Sequence, residues 1–511
     1  MKANEGPEGR NFDVLVVGNG ALGLSLAWVL ARRGRRVGLL GQPHRPWAGS
    51  TAAGAMLGCF GEITTSLVAS EYGRTKLELG IQATGMWPQW LAELEDETAG
   101  TLEDAPTGTD ARTGTDARTG MDVRTADGTT VMLNSVGIPE IDDANYAAIR
   151  RELVRYSEPF EDVDPGDLEW VDSDPLARPL KAFHIPGEHA VNPAALLVRL
   201  ETAFVRAKGT LVTDFATAVE YAGDRVTGVT LETGERLSAD QVVLAAGART
   251  QGLLDTLPVG PRIPRLVSGY GVSVLVRTQD GTAPRSVIRT PNRSFACGLH
   301  VVPRGAGEVY LGATNIISPE PRDIPDMRDL AFLMECAHRQ VRRNLWDSQV
   351  AKVQVGNRPV SVDGFPLLGE GGMDGLWIMT GTYRDGLHLS PLLAQEIAAR
   401  MLGEETHAGL DPFAPVRPPL QAWSRKQIVD SAVHHTIAIG YEQNWRIPVD
   451  WHGWIENDLR PATLSWAEEI DPEITPPPEL LFHSRLVPDL AKMLREYYAT
   501  TRVQGVQGVR S

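Results

Sequence analysis

Only three cysteines are spread over 511 residues, at 59, 297 and 336. That spacing supports neither a metal cluster nor a disulfide framework and points to a reducing, cytoplasmic setting. Lysine is nearly as scarce, 7 residues beside 42 arginines, a bias of composition that fits a GC-rich genome and carries no chemistry. Positive charge is also in deficit. With 49 basic and 65 acidic residues the formal charge is −16, so nucleic acid and anionic membrane surfaces are excluded as natural partners. Long apolar runs are missing too. The nearest, residues 14–31, is broken by Gly18, Asn19, Gly20 and Gly23 and follows no basic leader, so it reads as strand, turn and helix rather than as a signal peptide or membrane span. What remains is an ordinary globular composition, 42% apolar and 22% charged. The length exceeds one core and suits two interleaved domains, or two with an appendage.

The short β-branched run at residues 13–17 predicts a buried parallel strand. Gly18-Asn-Gly20-Ala21-Leu22-Gly23 follows it, then a helix to about Arg33, a stop at Gly34 and a second strand over residues 37–40. In that strand and helix context G-x-G-x-x-G reads as a dinucleotide turn: Gly18 turns the chain, Gly20 lets backbone approach a pyrophosphate, and Gly23 lets helix and strand pack closely. The acidic residue expected after the second strand, to hold a ribose hydroxyl, is replaced by Gly41-Gln42. Either Gln42 binds the ribose or the nucleotide is held more weakly there. A fold that has lost its nucleotide gains some weight from the departure.

Residues 107–124 repeat one hexapeptide three times, TGTDAR, TGTDAR and TGMDVR, dominated by Gly, Thr, Asp and Arg. A solvated loop insertion is expected. Asn192-Pro193 opens a predicted helix to about Lys208. Short strands follow, one of them through residues 239–248 and ending in small residues. Residues 263–276 and 285–314 alternate as an antiparallel sheet does. The proline-rich stretch 411–419 reads as a linker. Beyond it, five of the twelve tryptophans (423, 445, 451, 454, 466) crowd into about 90 residues ending in a predicted helix at 487–498. Such density means a packed module or a partner surface.

Four stretches together resemble the D-amino-acid-oxidase superfamily of FAD enzymes, glycine-oxidase branch: DVLVVGNGALG (13–23), GSTAAGAMLGCFGE (49–62), HVVPRGAGEVYLGATN (300–315) and GNRPVSVDGFPLLG with GLWIMTGTYRDGLHLSP (356–391). Each is weak alone; their order and spacing over residues 11–417 are not. The resemblance implies a mixed α/β fold, a Rossmann-like FAD domain interleaved with an antiparallel substrate domain. The divisions expected are 11–90 with 190–260 and 355–415 for FAD, 91–189 with 261–354 for substrate, and 420–511 as an extension. It implies that Gly49, Ser50, Thr51, Gly54, Ala55 and Met56 pass beside the cofactor, and that Ala216 and Gly247 close over the nucleotide. Thr382, Tyr383, Arg384, Asp385, Gly386, Leu387 and His388 would begin a helix whose N-terminus faces the flavin and stabilises negative charge on the reduced ring. Ala53, Val360 and Ser361 stand where covalent relatives carry His or Cys, so noncovalent FAD is expected.

By the same resemblance Arg358 binds the substrate carboxylate, which suits a planar, bidentate cation, and Arg384 is the second arginine of the site. His300 stands where glycine oxidases have a Tyr, and Asn315 where they have a Met. His300 is a candidate proton acceptor, a polar contact or a structural imidazole; both changes make the pocket more polar than glycine needs. The implied reaction removes a hydride from an amine or amino acid to flavin N5, leaving an imine, with O2 reoxidising the flavin to H2O2. Alternatives are a flavin dehydrogenase with another acceptor, an NAD enzyme, and a non-catalytic binding protein on a degenerate flavoprotein fold. A homo-oligomer is left open.

Overall fold

The computed structural model describes residues 11–99, 123–137, 139–293, 298–448 and 450–508. The hexapeptide copies up to residue 122, and Cys297, lie outside them. Strand Asn11–Val17 forms from the β-branched run and is buried on both faces. It pairs in parallel with Val37–Leu40 on one side and with Arg236–Leu244 on the other. Arg236–Leu244 pairs in parallel with the late strand Leu376–Thr380. The registers Val17↔Leu40 and Val17↔Leu244 end three of these strands level, and Leu244↔Ile378 carries the fourth two residues further, to Thr380. Their following turns therefore open at one edge of an eight-stranded sheet, the edge where doubly wound sheets bind ligands.

Helix Ala21–Arg32 leaves that edge, with Trp28 and Leu30 fully buried, and packs on the late helix Ser390–Leu402. Helix Pro193–Arg206 starts as the Asn-Pro pair predicts, the Asn192 side chain accepting from the amides of Ala194 and Ala195. A nine-stranded second sheet is built around Leu266–Arg277, which runs antiparallel to Gln349–Ser361 along its length. One pair departs from the expected antiparallel pattern: Val287–Arg289 runs parallel to Thr129–Asn134. Two expected domain boundaries fall inside single elements. Helix Glu71–Thr98 runs unbroken through residue 90, and strand Gln349–Ser361 through residue 354. The helix cannot stop at 90 because Leu79, Ala83, Trp87, Trp90 and Leu94 form one stripe against the first sheet's core.

Residues 411–419 are not a free linker. Phe413 is fully buried and stacks on Phe365 (6.0 Å, 13°), while Arg417 pairs with Asp363 at 2.9 Å. The prolines shape this segment, and one ring and one ion pair pin it. Beyond it stand four helices, Arg425–Glu442, Trp451–Ile470, Pro478–Ser484 and Pro488–Gly508. The last three share a core with the second sheet, Ile470, Leu480, Leu490 and Leu494 packing on Val267, Ile317, Val360 and Val362. Trp423 and Trp466 belong to packed clusters; Trp445, Trp451 and Trp454 are exposed. No helix among the described residues is long and apolar enough to cross a membrane.

Candidate active site

Those strand ends open into a cavity of about 740 Å³. Of the cofactor residues named from sequence, only Gly23 and Thr51 do not line it. Gly23 works behind the wall: a Cβ there would stand 1.7 Å from the Gly18 carbonyl oxygen, so any side chain would separate helix from turn. Thr51 instead donates its hydroxyl to the Ala48 carbonyl. Gly18 has φ +115°, and a Cβ on it would meet the Ala245 carbonyl at 2.4 Å. Helix Ala21–Arg32 begins here with no acidic residue in its first turn, the Ala21 amide donating to the Ser50 hydroxyl at 3.0 Å, whereas helix Ser390–Leu402 begins at the buried Ser390, behind the cavity lining. Glycine-floored backbone and the positive end of helix Ala21–Arg32 fit an anionic dinucleotide. The late helix starts at Ser390, later than expected. Residues 382–389 are turns, because Gly381 (φ +71°) and Tyr383 (φ +54°) cannot enter helical geometry.

After the second strand, the absence of the carboxylate expected from sequence has a structural reason. The Asn19 amide fills the space a Gly41 side chain would need, 2.2 Å from an ideal Cβ, and donates to the Gln42 carbonyl. The Gln42 amide turns to the Thr213 carbonyl at 3.3 Å. Sequence reasoning missed Arg249, whose guanidinium lies 4.6 Å from both the Trp47 and Phe215 rings on the cavity wall. It also missed Arg304. Its half-buried guanidinium donates to the carbonyls of Ala53, Gly54 and Val191, clamping the 53–54 loop, and desolvation lowers its pKa to about 10. The signal for neither is local, since both act on segments distant in the chain.

The other end of the cavity gathers the two arginines named from sequence. Arg358 donates to the Thr314 carbonyl at 3.1 Å and to the Asn315 side-chain oxygen at 3.0 Å. Asn315 in turn donates through its amide to the Tyr383 hydroxyl. Arg384 lies over the Tyr383 ring (4.6 Å), donates to the same hydroxyl at 3.1 Å and pairs with Glu479 at 3.6 Å. Asn315 thus stands behind the wall and couples Arg358 to Tyr383. Glu479 comes from the C-terminal helices, and no sequence pattern tied it to the site.

Protonation states follow from burial. His300 is stacked on Tyr310 at 5.7 Å, and its Nδ1 lies 3.0 Å from the Gly298 carbonyl, which can only accept. The proton therefore sits on Nδ1 and leaves Nε2 bare. Burial takes its pKa down to about 4, with the Arg289 and Arg358 charges adding to the fall. It enters the site as a neutral acceptor and a weak base. His388 is likewise lowered to about 4 by burial, its Nε2 at 2.9 Å from the Thr84 hydroxyl. Glu62, unremarked in sequence, lines the cavity as an ion: burial opposes ionisation, but Arg289 at 2.6 Å, Arg384 and Asn292 hold it far below the carboxylate range.

A glycine turn at the head of a parallel sheet, with paired cations at the far end of the same cavity, defines a dinucleotide-dependent oxidoreductase of the doubly wound class. The sequence pattern of the DAO family, FAD dependent oxidoreductase, matches residues 13–400, and the chain belongs to that family. FAD is its cofactor. Glycine oxidase of Pseudomonas aeruginosa is 34% identical over 194 residues, 38% of this chain and 50% of that one. Glycine oxidase of Geobacillus kaustophilus is 26% identical over 421 residues, 80% of this chain and 97% of that protein. The fold is similar to the crystal structure of the glycine oxidase from Geobacillus kaustophilus, with TM-score 0.64 and 22% identity over 80% of this chain and 99% of that one. It is also similar to the iminodiacetate oxidase from Chelativorans sp. BNC1, TM-score 0.63, 20% identity, 80% and 100% covered.

Proposed function

We propose that the protein oxidises a carboxylate-bearing amine or amino acid at the bond between α-carbon and nitrogen. The observation that carries this is the chain of contacts Arg358–Asn315–Tyr383–Arg384 at one end of the FAD cavity. In this reading the eight-stranded sheet carries FAD, held noncovalently, and the nine-stranded sheet carries the substrate. Bound FAD supplies the two-electron acceptor, and O2 takes the electrons onward to H2O2.

The chain's own task is placement. Arg358 is held by Thr314 and Asn315, which leaves its remaining N–H groups for a carboxylate. Fixing that carboxylate orients the α C–H bond, and orientation of this kind contributes roughly 7–11 kcal/mol toward a barrier. Arg384 is already matched by Glu479, so Arg358 is the main anchor and Arg384 the steric and electrostatic neighbour. His300, neutral with a bare Nε2, offers the substrate amine a hydrogen-bond acceptor rather than a strong base. The amine is therefore taken up neutral from solvent. A small-molecule substrate, O2 and a cytoplasmic site of action complete the reading.

The test is the flavin spectrum of the purified protein and its anaerobic bleaching by a panel of amino and N-alkyl acids, followed by H2O2 yield in air. Bleaching by a carboxylate-bearing amine is expected. A yellow protein that no amine bleaches would refute the substrate class, and bleaching without H2O2 would replace O2 by another acceptor.

A further inference from the structure

A second cavity, of about 410 Å³, adjoins the substrate end of the first and shares Glu62, Tyr383, Arg384, Asp385 and His388 with it. Part of its lining is the segment around Thr64–Leu67 with Leu77 and Ile141. Another part, including Trp423, Gln427, Ser431, His434 and Pro477, comes from beyond residue 400, where the family match ends, and Trp423 joins the two by donating to the Ser66 carbonyl at 3.1 Å. Helix Pro478–Ser484 ties that second part to the first cavity. Glu479 pairs with Arg384, and Leu480 packs in one core with Ile317.

The charges around this cavity are matched within the protein. Lys76 holds Asp385 at 2.8 Å, Arg289 holds Glu62 at 2.6 Å, and Arg384 stands 3.6 Å from Glu479. Asp430 is taken by Lys426 at 2.7 Å and Arg460 at 2.9 Å, and His434 faces Glu456 at 3.6 Å. An ionic group entering here would lose its hydration and find no free counter-charge among the described residues. An uncharged one meets Trp423 and Phe365, stacked 5.7 Å apart at 20°, together with Leu67, Leu77 and Ile141 on the same lining. Each methylene buried on such a surface strengthens binding about fourfold.

We propose that the second cavity binds the tail of the substrate, and that the substrate is a carboxylate-bearing amine whose tail is bulky and uncharged, ring-bearing or branched. This rests on the reading above, in which Arg358 anchors the carboxylate in the first cavity. The C-terminal helices are then part of the substrate site, and Trp423 and Ser431 set its length.

The test uses the full-length holoenzyme. Anaerobic flavin bleaching and kcat/KM are measured with glycine, N-benzylglycine, and both enantiomers of alanine, leucine, phenylalanine, lysine and glutamate. At least one ring-bearing or branched uncharged member is expected to exceed glycine, lysine and glutamate by tenfold or more. Ser431→Trp, and separately Leu77→Trp, would fill the cavity; each is expected to cut the ratio of bulky to small substrate about tenfold in protein that retains its flavin. Glycine or a charged member bleaching as fast as the bulky ones would overturn the proposal and leave amine oxidation standing. An unchanged ratio in a flavin-retaining variant would also overturn it. Bleaching by no member at all would instead remove the amine-oxidation reading, and this proposal with it.

Discussion

The guanidinium of Arg358 lies over the backbone of Gly271, so close that a Cβ built on Gly271 would stand 2.4 Å from both of its terminal nitrogens. The two residues sit on adjacent antiparallel strands, Leu266–Arg277 and Gln349–Ser361. A side chain at 271 and the observed Arg358 rotamer exclude each other. Gly271→Val is therefore expected to reproduce Arg358→Ala: KM for a carboxylate substrate rises by roughly tenfold or more, as loss of a charge-assisted contact of about 1.5–3 kcal/mol requires. The flavin should stay bound in both. Steady-state kinetics beside the flavin absorbance checks this, and an unchanged KM in Gly271→Val would show that Arg358 does not need its place over residue 271.

Glu479 reaches Arg384 from the C-terminal helices, and both side chains are mostly covered. Removing the carboxylate leaves a cation facing the substrate end of the cavity. In Glu479→Ala, simple carboxylates such as acetate should become severalfold better competitive inhibitors, because Arg384 then needs a counter-ion. Inhibition constants measured at two salt concentrations decide it. Equal values for variant and parent would mean that Arg384 faces away from the reacting space.

Arg304 clamps the carbonyls of Ala53, Gly54 and Val191. Arg304→Met keeps much of the stem's bulk and removes the donors. Three lost hydrogen bonds at about 1 kcal/mol each would let the 53–54 backbone drift and weaken FAD binding by tenfold or more. Release of FAD on dilution, followed by its fluorescence, reports the change, and flavin retention equal to the parent's would count against the clamp.

Glu188 is buried behind the cofactor loop, accepting from the amides of Phe60 and Gly61. Burial raises its pKa from 4.5 to about 7, only partly offset by Arg289 and those amides. Between these pH values the folded chain holds a proton that the unfolded chain has released. This group therefore favours the fold most below pH 4.5, and the contribution is lost as pH rises toward 7, by roughly 3 kcal/mol. Glu188→Gln keeps an acceptor and removes the charge, so its Tm advantage over the parent should grow from pH 5 to pH 8. Comparing variant with parent cancels the buried histidines, whose low pKa values tilt stability the opposite way. A constant difference would contradict the assignment.

Much of this was legible one segment at a time. Residues 13–40 announce strand, turn, helix and strand because each acts through its immediate neighbours: β-branched residues in a buried strand, Gly18 at a positive φ, Gly34 at a helix stop. The late segment was legible as a motif but not in its geometry, since Gly381 and Tyr383 delay the helix to Ser390. The stretch 411–419 misled because proline content describes backbone stiffness and is silent on whether Phe413 finds Phe365. The boundary at 90 misled because the stripe from Leu79 to Leu94 shows only that a helix needs a partner.

By itself the sequence determined the dinucleotide turn, the place of Arg358 and Arg384 in the chain, and the family to which these motifs belong, because backbone preferences and short motifs act over a few residues. Only the tertiary structure decided that Asn315 and Tyr383 join the two arginines, that Asn19 fills the room a carboxylate would need after the second strand, and that Glu479 closes the site from the C-terminal helices. Those contacts join segments tens of residues apart. They are set by how two sheets and a helical module pack, and no local pattern carries that information.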